Sequence, residues 1–130
     1  LKIMVADKMH SRATGPLQNL TRQPAGGRSN NGGLRIGEME RDSILAHGVS
    51  KFLQESVMER SDKYSVTIDE SSGLISTKKE DPHTIKVMMP YAMKLLLQEL
   101  QTMCIAPRLE TDTNISNPEV FKYIVENIKR

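Results

Sequence analysis

Apolar side chains recur at helical spacing in three stretches of the chain. The first covers residues 38–59, the second begins at Pro90 and ends near Met103, and the third follows the cap sequence Asn117-Pro118-Glu119. An apolar position every three or four residues gives a helix one face that can pack on a core. The pattern therefore predicts three amphipathic helices, and the apolar positions of the first are Ile44, Leu45, Val49, Phe52, Leu53 and Val57.

Shorter runs of apolar or alternating residues predict strands. Three such runs, at residues 64–68, 73–76 and 84–89, lie between the first two predicted helices. A period of two places successive side chains on opposite faces, so we expect three short antiparallel strands. The apolar run at residues 1–5 predicts a fourth strand. The basic side chains that alternate along its expected extended continuation are Lys8, His10 and Arg12.

The segment from residue 13 to residue 37 has the composition of a loop. Turn signals such as Thr14-Gly-Pro16 and Asn30-Asn-Gly-Gly33 recur along it, and residues 1–37 hold six of the chain's eight glycines. Glycine and proline at this density exclude long helices and strands. Loops longer than about 15 residues are usually either functional or disordered, and the pattern leaves both alternatives open.

Together these elements predict an α+β fold that is not an autonomous globular unit. An extended basic loop segment, an amphipathic helix, a small antiparallel β region and closing helices follow one another, and the expected divisions are residues 1–37, 38–110 and 111–130. The 14.6 kDa chain supplies one modest core at most. The chain has only five aromatic residues and eight methionines, which predicts an adaptable core. We expect a partner protein to complete such a core. Because residue 1 is leucine, we expect the chain to derive from a longer one.

The charge of the chain is concentrated at one end. Residues 1–37 carry +5, with Asp7 as their one acid, whereas residues 38–130 carry −3. Basic side chains on a glycine-rich extended segment can bring guanidinium groups and backbone amides up to a phosphate chain. A flexible solvated linker has the same composition, so charge alone leaves these two interpretations open.

The candidates for catalysis within the chain are few. His47 falls inside the first predicted helix and His83 in a polar turn, where local hydrogen bonding and solvent are their expected environments. Asp7 and His10 are spaced for pairing, but no serine or cysteine nucleophile motif accompanies them. The single Cys104 excludes an internal disulfide and indicates a reducing compartment. Its place at the end of a leucine-rich helix predicts a buried, inert thiol.

Other function classes lack their sequence signals. Gly26-Gly27-Arg28-Ser29 has no lysine where a phosphate-binding loop needs one, and Gly32-Gly33 has no strand before it to form a dinucleotide fingerprint. No apolar run approaches the roughly 20 residues of a membrane span, so no membrane partner is expected.

The order of residues in short segments of residues 1–110, rather than their composition, points to one family. The segments that carry the likeness are Leu1-Lys-Ile-Met-Val-Ala-Asp-Lys-Met-His10, Leu20-Thr-Arg-Gln-Pro24, Gly32-Gly-Leu-Arg-Ile-Gly-Glu-Met-Glu-Arg-Asp42, Ala46-His-Gly48, Met89-Pro-Tyr-Ala92 and Ile105-Ala-Pro-Arg108. In order and spacing they resemble the C-terminal part of the second-largest (beta-type) subunit of multisubunit DNA-directed RNA polymerases, in its eukaryotic and archaeal form.

The resemblance implies a role in transcription for each part of the chain. The side chains implied to lie near the active centre are Lys2, Lys8, His10 and Arg12. Those implied to form a switch on the RNA–DNA hybrid and template strand are Arg22, Gln23, Arg28 and Arg35. Residues 38–108 are implied to dock on the largest subunit as the base of the clamp, and residues 111–130 are an extension without a counterpart.

The resemblance also implies partners and cofactors. The expected partners are the largest subunit, the remainder of the second-largest subunit, the DNA template, the RNA transcript and nucleoside triphosphates. The two catalytic Mg²⁺ ions are expected to be held mainly by the largest subunit, which leaves this chain with no catalytic residue and no metal ligand. The alternative function is that of a non-catalytic regulatory protein that reuses the polymerase module.

One departure from the family pattern concerns zinc. The family usually carries a zinc ribbon between its two C-terminal helices, and here Asp69 and Ser72 stand where its first cysteine pair would be. Tetrahedral zinc without thiolates or clustered histidines is not expected, so residues 64–89 are predicted to form a zinc-free remnant. Such a loss indicates a divergent enzyme, of viral type for example.

Overall fold

The computed structural model describes residues 2–77 and 82–112. Within them it has an α+β architecture, as the sequence predicts, with three α-helices and a two-stranded antiparallel sheet. None of the helices in the described ranges is both long and apolar enough to cross a membrane. Leu1 and the predicted third amphipathic helix lie outside the described residues.

The first predicted helix is two helices, α1 (Glu38–His47) and α2 (Ser50–Val57). Gly48 ends α1 in the left-handed conformation, with φ of +70°, and its N–H donates to the carbonyl of Leu45 at 3.1 Å. The expectation of one continuous helix over residues 38–59 is therefore wrong. The apolar repeat passes through the break unchanged, which is why periodicity alone did not reveal it.

The sheet pairs β1 (Lys63–Asp69) with β2 (Thr84–Pro90). The predicted strand at residues 73–76 is reduced to one antiparallel bridge, between Ile75 and Ile68. A short kinked segment, Met58–Asp62, joins α2 to β1, and Ser61 within it leaves helical geometry with φ of −122° and ψ of −108°. The second predicted helix is confirmed as α3 (Tyr91–Thr102).

The predicted strand at residues 1–5 is wrong. Met4 is extended, but the chain then enters a short 3₁₀ helix, Val5–Asp7, and Lys8 adopts a helical conformation. The side chains of Ile3 and Val5 are more than three-quarters exposed, so no neighbouring strand in the described chain covers them. Without a pairing partner, an apolar run of this length has no ladder to join.

The chain divides into two compact units. The first consists of residues up to Lys63 together with Pro90–Ala92, and the described part of the second holds residues 64–77, 82–89 and 93–112. All buried hydrophobic side chains among the described residues belong to the second unit, namely Val66, Ile68, Met89 and Leu97. The first unit is held by backbone and polar contacts. It contains residues 2–37, which we call the basic segment.

Candidate nucleic-acid interface

The basic segment is shaped first by a small hairpin over residues 17–24. The amide of Gln18 donates to the carbonyl of Gln23 at 2.8 Å, and that of Arg22 donates to the carbonyl of Gln18 at 3.0 Å. An antiparallel bridge joins Leu17 to Pro24. Arg22 has φ of +53°, a left-handed conformation that side chains other than glycine rarely adopt. The loop therefore contains a defined hairpin, whereas the sequence predicted turns without showing how their residues pair.

A second turn, over residues 25–33, folds onto Gly32. The amide of Gly33 donates to the carbonyl of Ala25 at 2.8 Å, and that of Gly32 donates to the carbonyl of Gly27 at 2.9 Å. Gly32 is buried, and a Cβ atom there would lie 2.4 Å from the Ala25 carbonyl oxygen. By contrast, a Cβ on Gly26 would meet nothing within 4 Å. The close backbone approach therefore requires glycine at position 32.

Two of the predicted site residues bind the carbonyls of these turns. His10 Nε2 lies 2.6 Å from the carbonyl oxygen of Gly32. Arg12 Nη1 donates to the carbonyl of Pro16 at 2.9 Å and to that of Asn31 at 3.0 Å. Both side chains are half-buried. Their polar groups tie the start of the basic segment to its two turns.

Two further predicted site residues also contact the chain itself. Arg28 Nη2 donates to the carbonyl of Ala6 at 3.0 Å. The guanidinium carbon of Arg22 lies 4.6 Å from the centre of the Tyr91 ring. Gln23 is half-buried in the hairpin. Tyr91 was not among the predicted site residues, because no spacing in the sequence links it to a residue 69 positions earlier.

The remaining predicted cations face solvent. Lys2, Lys8 and Arg35 are exposed, and within the described ranges none of them makes a hydrogen bond or ion pair. Asp7 is the one acidic residue of the basic segment, and it is exposed as well. The exposed cations therefore leave the basic segment with uncompensated positive charge. The other basic side chains hold its backbone in shape.

In the second unit, the predicted ribbon remnant forms a turn organised by a carboxylate. Asp69 accepts hydrogen bonds from the hydroxyl of Ser71 at 2.7 Å, from its amide at 3.0 Å and from the hydroxyl of Ser72 at 2.8 Å. These donors favour the ionised form, the Ser71 hydroxyl most, and they hold the pKa of Asp69 below its ordinary value.

The same turn contacts a later part of the chain. Arg108 Nη1 donates to the carbonyl of Ser72 at 2.7 Å, and the amide of Leu109 donates to that of Gly73 at 2.8 Å. Gly73 has φ of +70°, and a Cβ there would lie 2.8 Å from the Leu109 carbonyl oxygen. Hydrogen bonds thus fix the geometry of this turn on both sides.

In residues 2–77 and 82–112, no three His, Cys, Asp or Glu side chains come together in a way that could hold a metal ion. His47 Nδ1 contacts the carbonyl of Ser43 at 2.8 Å, which confirms the expected local hydrogen bond. Cys104 is exposed, so the prediction of a buried thiol is wrong.

The exposure of Cys104 follows from the way α3 ends. Cys104 takes a left-handed conformation, with φ of +62°, and its amide donates to the carbonyl of Gln101. The amide of Ile105 reaches back to the carbonyl of Leu100. This pair of bonds is a Schellman cap, which turns the chain away from the helix before the cysteine side chain can pack.

Comparison with known proteins gives consistent matches over most of the chain. The family model described as RNA polymerase Rpb2, domain 7 matches residues 32–112, and that described as RNA polymerase Rpb2, domain 6 matches residues 1–30. DNA-directed RNA polymerase II subunit 2 of Arabidopsis thaliana is 50% identical over an alignment of 123 positions, gaps included, and the match covers 85% of this chain and 10% of the relative.

Two other relatives extend the range of organisms. DNA-directed RNA polymerase III subunit RPC2 of Saccharomyces cerevisiae is 51% identical over 118 residues, covering 86% of this chain and 10% of the relative. DNA-directed RNA polymerase subunit 2 of Acanthamoeba polyphaga mimivirus is 45% identical over an alignment of 131 positions, gaps included, and the match covers 91% of this chain and 11% of the relative. The chain therefore spans about a tenth of the length of the curated relatives it matches.

Proposed function

Because the chain belongs to the RNA polymerase Rpb2 family, we propose that it acts as part of the second-largest subunit of a DNA-directed RNA polymerase. In this role the basic segment contacts the RNA–DNA hybrid and the template strand near the active centre. One observation carries the proposal. The basic segment is held in shape by hydrogen bonds to its own carbonyl groups, it contains one acidic residue, and its remaining cations are exposed to solvent.

The contacts divide the predicted site residues into two groups. His10, Arg12 and Arg28 bind carbonyl groups of the basic segment and so maintain its shape. Lys2, Lys8 and Arg35 have no such contact in the described chain and offer their charge to an external phosphate. We assign the second group to direct phosphate contact, because an uncompensated cation gains most from a phosphate oxygen.

The two helices after the basic segment are proposed to dock on the largest subunit, at the base of the clamp. Their exposed apolar side chains are Met39, Leu45, Phe52 and Val57, each more than 40% exposed, with Val49 between the helices at 46%. Apolar exposure on this scale is typical of surfaces that bind another protein. A methionine among them suits a surface that adapts to its partner.

Metal requirements are proposed to be met elsewhere in the enzyme. The family resemblance implies that the largest subunit supplies the Mg²⁺ ions, and this chain's part is to orient nucleic acid. Among the described residues, no three His, Cys, Asp or Glu side chains come together to hold a metal ion. We also propose that residues 64–89 work without zinc, since Asp69 already organises the turn. Elemental analysis of the purified chain should find no stoichiometric zinc, and one zinc per chain that Cys104→Ser removes would contradict this.

The phosphate assignment is tested in the assembled polymerase with an RNA–DNA scaffold. Lys8→Ala and Arg35→Ala should each weaken scaffold binding and reduce the slope of log affinity against log salt by about 0.7 to 0.9, the value for one phosphate contact. Lys86→Ala is the charge-matched control, because Lys86 is exposed on β2, outside the basic segment and outside α1 and α2. An unchanged slope in both variants would remove the basis of the proposal.

A further inference from the structure

We propose that Tyr91 is the platform on which the hairpin over residues 17–24 docks, and that Arg22 is a positioning residue. On this view Arg22 affects nucleic-acid binding by holding the hairpin against the ring, and it is not itself a phosphate ligand. The inference rests on the proposed function, because its effect is measured as binding of an RNA–DNA scaffold. Its physical basis is three observations within the first unit.

The first contact is the stacking of Arg22 on the ring. Its guanidinium carbon is 4.6 Å from the ring centre of Tyr91, well inside the roughly 6 Å range of cation–π attraction. Arg22 is exposed at the end of the hairpin turn, whereas Tyr91 is half-buried at the start of a helix, so the ring is the fixed member of the pair. A planar guanidinium can lie flat on a ring in a way that a lysine ammonium cannot.

The second observation is the backbone conformation of Arg22, which places its guanidinium against the ring. Arg22 lies at the end of the hairpin turn with φ of +53°, and its own amide is bonded to the carbonyl of Gln18. The left-handed conformation of a residue with a Cβ costs energy and persists where surrounding contacts fix it. The stacking on Tyr91 and the hydrogen bonds of the hairpin therefore both stabilise the same backbone conformation of Arg22.

The third contact holds Tyr91 itself in place. Tyr91 is the first residue of α3, and the amide of the next residue, Ala92, donates to Asp62 Oδ2 at 2.9 Å. Asp62 is only 6% exposed and is the last residue of the kinked segment that follows α2. A carboxylate bonded to an amide in the first turn satisfies a donor that the helix leaves unpaired, and it suits the helix dipole. Asp62 thus fixes the start of α3, and with it the ring.

These contacts set Arg22 apart from the cations assigned to phosphate. Lys2, Lys8 and Arg35 have no partner in the described chain, whereas the face of Arg22 is already occupied by Tyr91. Removal of either member of the pair should release the same hairpin. The two substitutions should therefore have similar effects, and the second should add little to the first.

The experiment is a double-mutant cycle on the assembled polymerase, with an RNA–DNA scaffold as the probe. Arg22→Ala and Tyr91→Leu should each weaken scaffold binding roughly two- to fivefold, and the double variant should be no weaker than the worse single one. The salt slope should stay at the wild-type value in all three variants. Tyr91→Phe, which keeps the ring, should weaken scaffold binding less than Tyr91→Leu does.

A matched control and a second measurement separate the possible failures. Lys94→Ala removes an ammonium from the Tyr64 ring at 5.6 Å, outside the basic segment and outside α1 and α2, and it should leave scaffold binding unchanged. Hydrogen exchange at the Gln18 and Arg22 amides should quicken in Arg22→Ala and Tyr91→Leu but not in Lys8→Ala.

The outcomes that overturn the inference differ from those that overturn the proposed function. Additive effects, or a salt slope reduced in Arg22→Ala alone, would make Arg22 a phosphate ligand and reject the positioning role. Unchanged hairpin exchange in Tyr91→Leu would reject the platform. If scaffold binding responds to none of the variants, Lys8→Ala included, the proposed function fails, while quickened exchange would still support the docking of the hairpin.

Discussion

At the scale of single residues, the basic segment shows that like charges have unlike roles. Arg12 bridges the carbonyls of Pro16 and Asn31 with one nitrogen, while Lys8 extends into solvent. A guanidinium carries several donors in a rigid plane and suits such bridging, whereas an ammonium on a flexible stem does not. Composition gives the number of cations but not this division, because the division depends on which carbonyl groups the folded turns bring within reach.

Asp69 gives a prediction about pH at this same scale. Its pKa should lie below the ordinary aspartate value, and Ser71→Ala should raise it more than Ser72→Ala does, since the Ser71 hydroxyl is the strongest of the donors. Titration of the Asp69 carboxyl carbon by NMR in the 130-residue chain measures the pKa in the wild type and in both variants. A larger rise in Ser72→Ala would contradict the order of the donors.

The sign of the linked stability change follows from the direction of the Asp69 shift. A carboxyl whose pKa is lowered on folding binds fewer protons in the native state, so its stabilising contribution is complete above its ordinary pKa. That contribution is lost as pH falls through the lowered pKa of the folded chain. Asp69→Asn should therefore flatten this part of the stability profile in acid.

At the scale of elements, the apolar pattern predicted where the helices lie but not where a helix is interrupted. Apolar spacing located α3 to within a residue at each end, because Pro90 and the leucine run leave few alternatives. The break at Gly48 was missed because a left-handed glycine can interrupt a helix without disturbing the apolar repeat. The strand at residues 1–5 failed for a different reason, since a strand depends on a partner that no local pattern shows.

The break between α1 and α2 gives the prediction at this scale. Gly48→Ala should destabilise the junction by about 1–2 kcal/mol, because the residue is left-handed even though its surroundings leave open space for a side chain. Gly48→Asn should cost less, since asparagine tolerates this conformation better. Hydrogen exchange at the amides of Ser50 and Leu53, which donate to Gly48 and Val49, measures the loss. Equal protection in the wild type and Gly48→Ala would show that the glycine is dispensable.

At the scale of the whole molecule, the two units differ in what holds them. Apolar side chains of the basic segment are largely exposed, with Leu34 at 89% and Leu20 at 67%, and none of them is buried in the described chain. Hydrogen bonds to backbone carbonyls define its shape but stabilise it only modestly, because water competes for each of them. We therefore expect contacts from outside the chain to complete the order of this segment.

Hydrogen exchange on the assembled enzyme, with and without an RNA–DNA scaffold, tests this expectation. The amides of residues 26–33 should be more protected with the scaffold present, because phosphates then neutralise the surrounding cations. Equal protection in both states would show that protein contacts alone order the loop.

Two glycine variants supply the control for the exchange experiment. Gly32→Ala forces a methyl group against backbone and should abolish most of the protection with or without scaffold, at a cost of about 1–3 kcal/mol. Gly26→Ala, which has open space around its added Cβ, should behave as wild type does.

The contact of His10 with Gly32 also determines the position of a proton. A carbonyl oxygen can only accept, so the imidazole nitrogen Nε2, 2.6 Å away, must carry hydrogen, and the neutral ring is thereby fixed as a single tautomer. Its other nitrogen, Nδ1, then bears a lone pair, which repels a phosphate oxygen. Only the imidazolium form has a second N–H to donate outward. The neutral ring of His10 therefore offers an acceptor, and not a donor, to any group that approaches it from outside the loop.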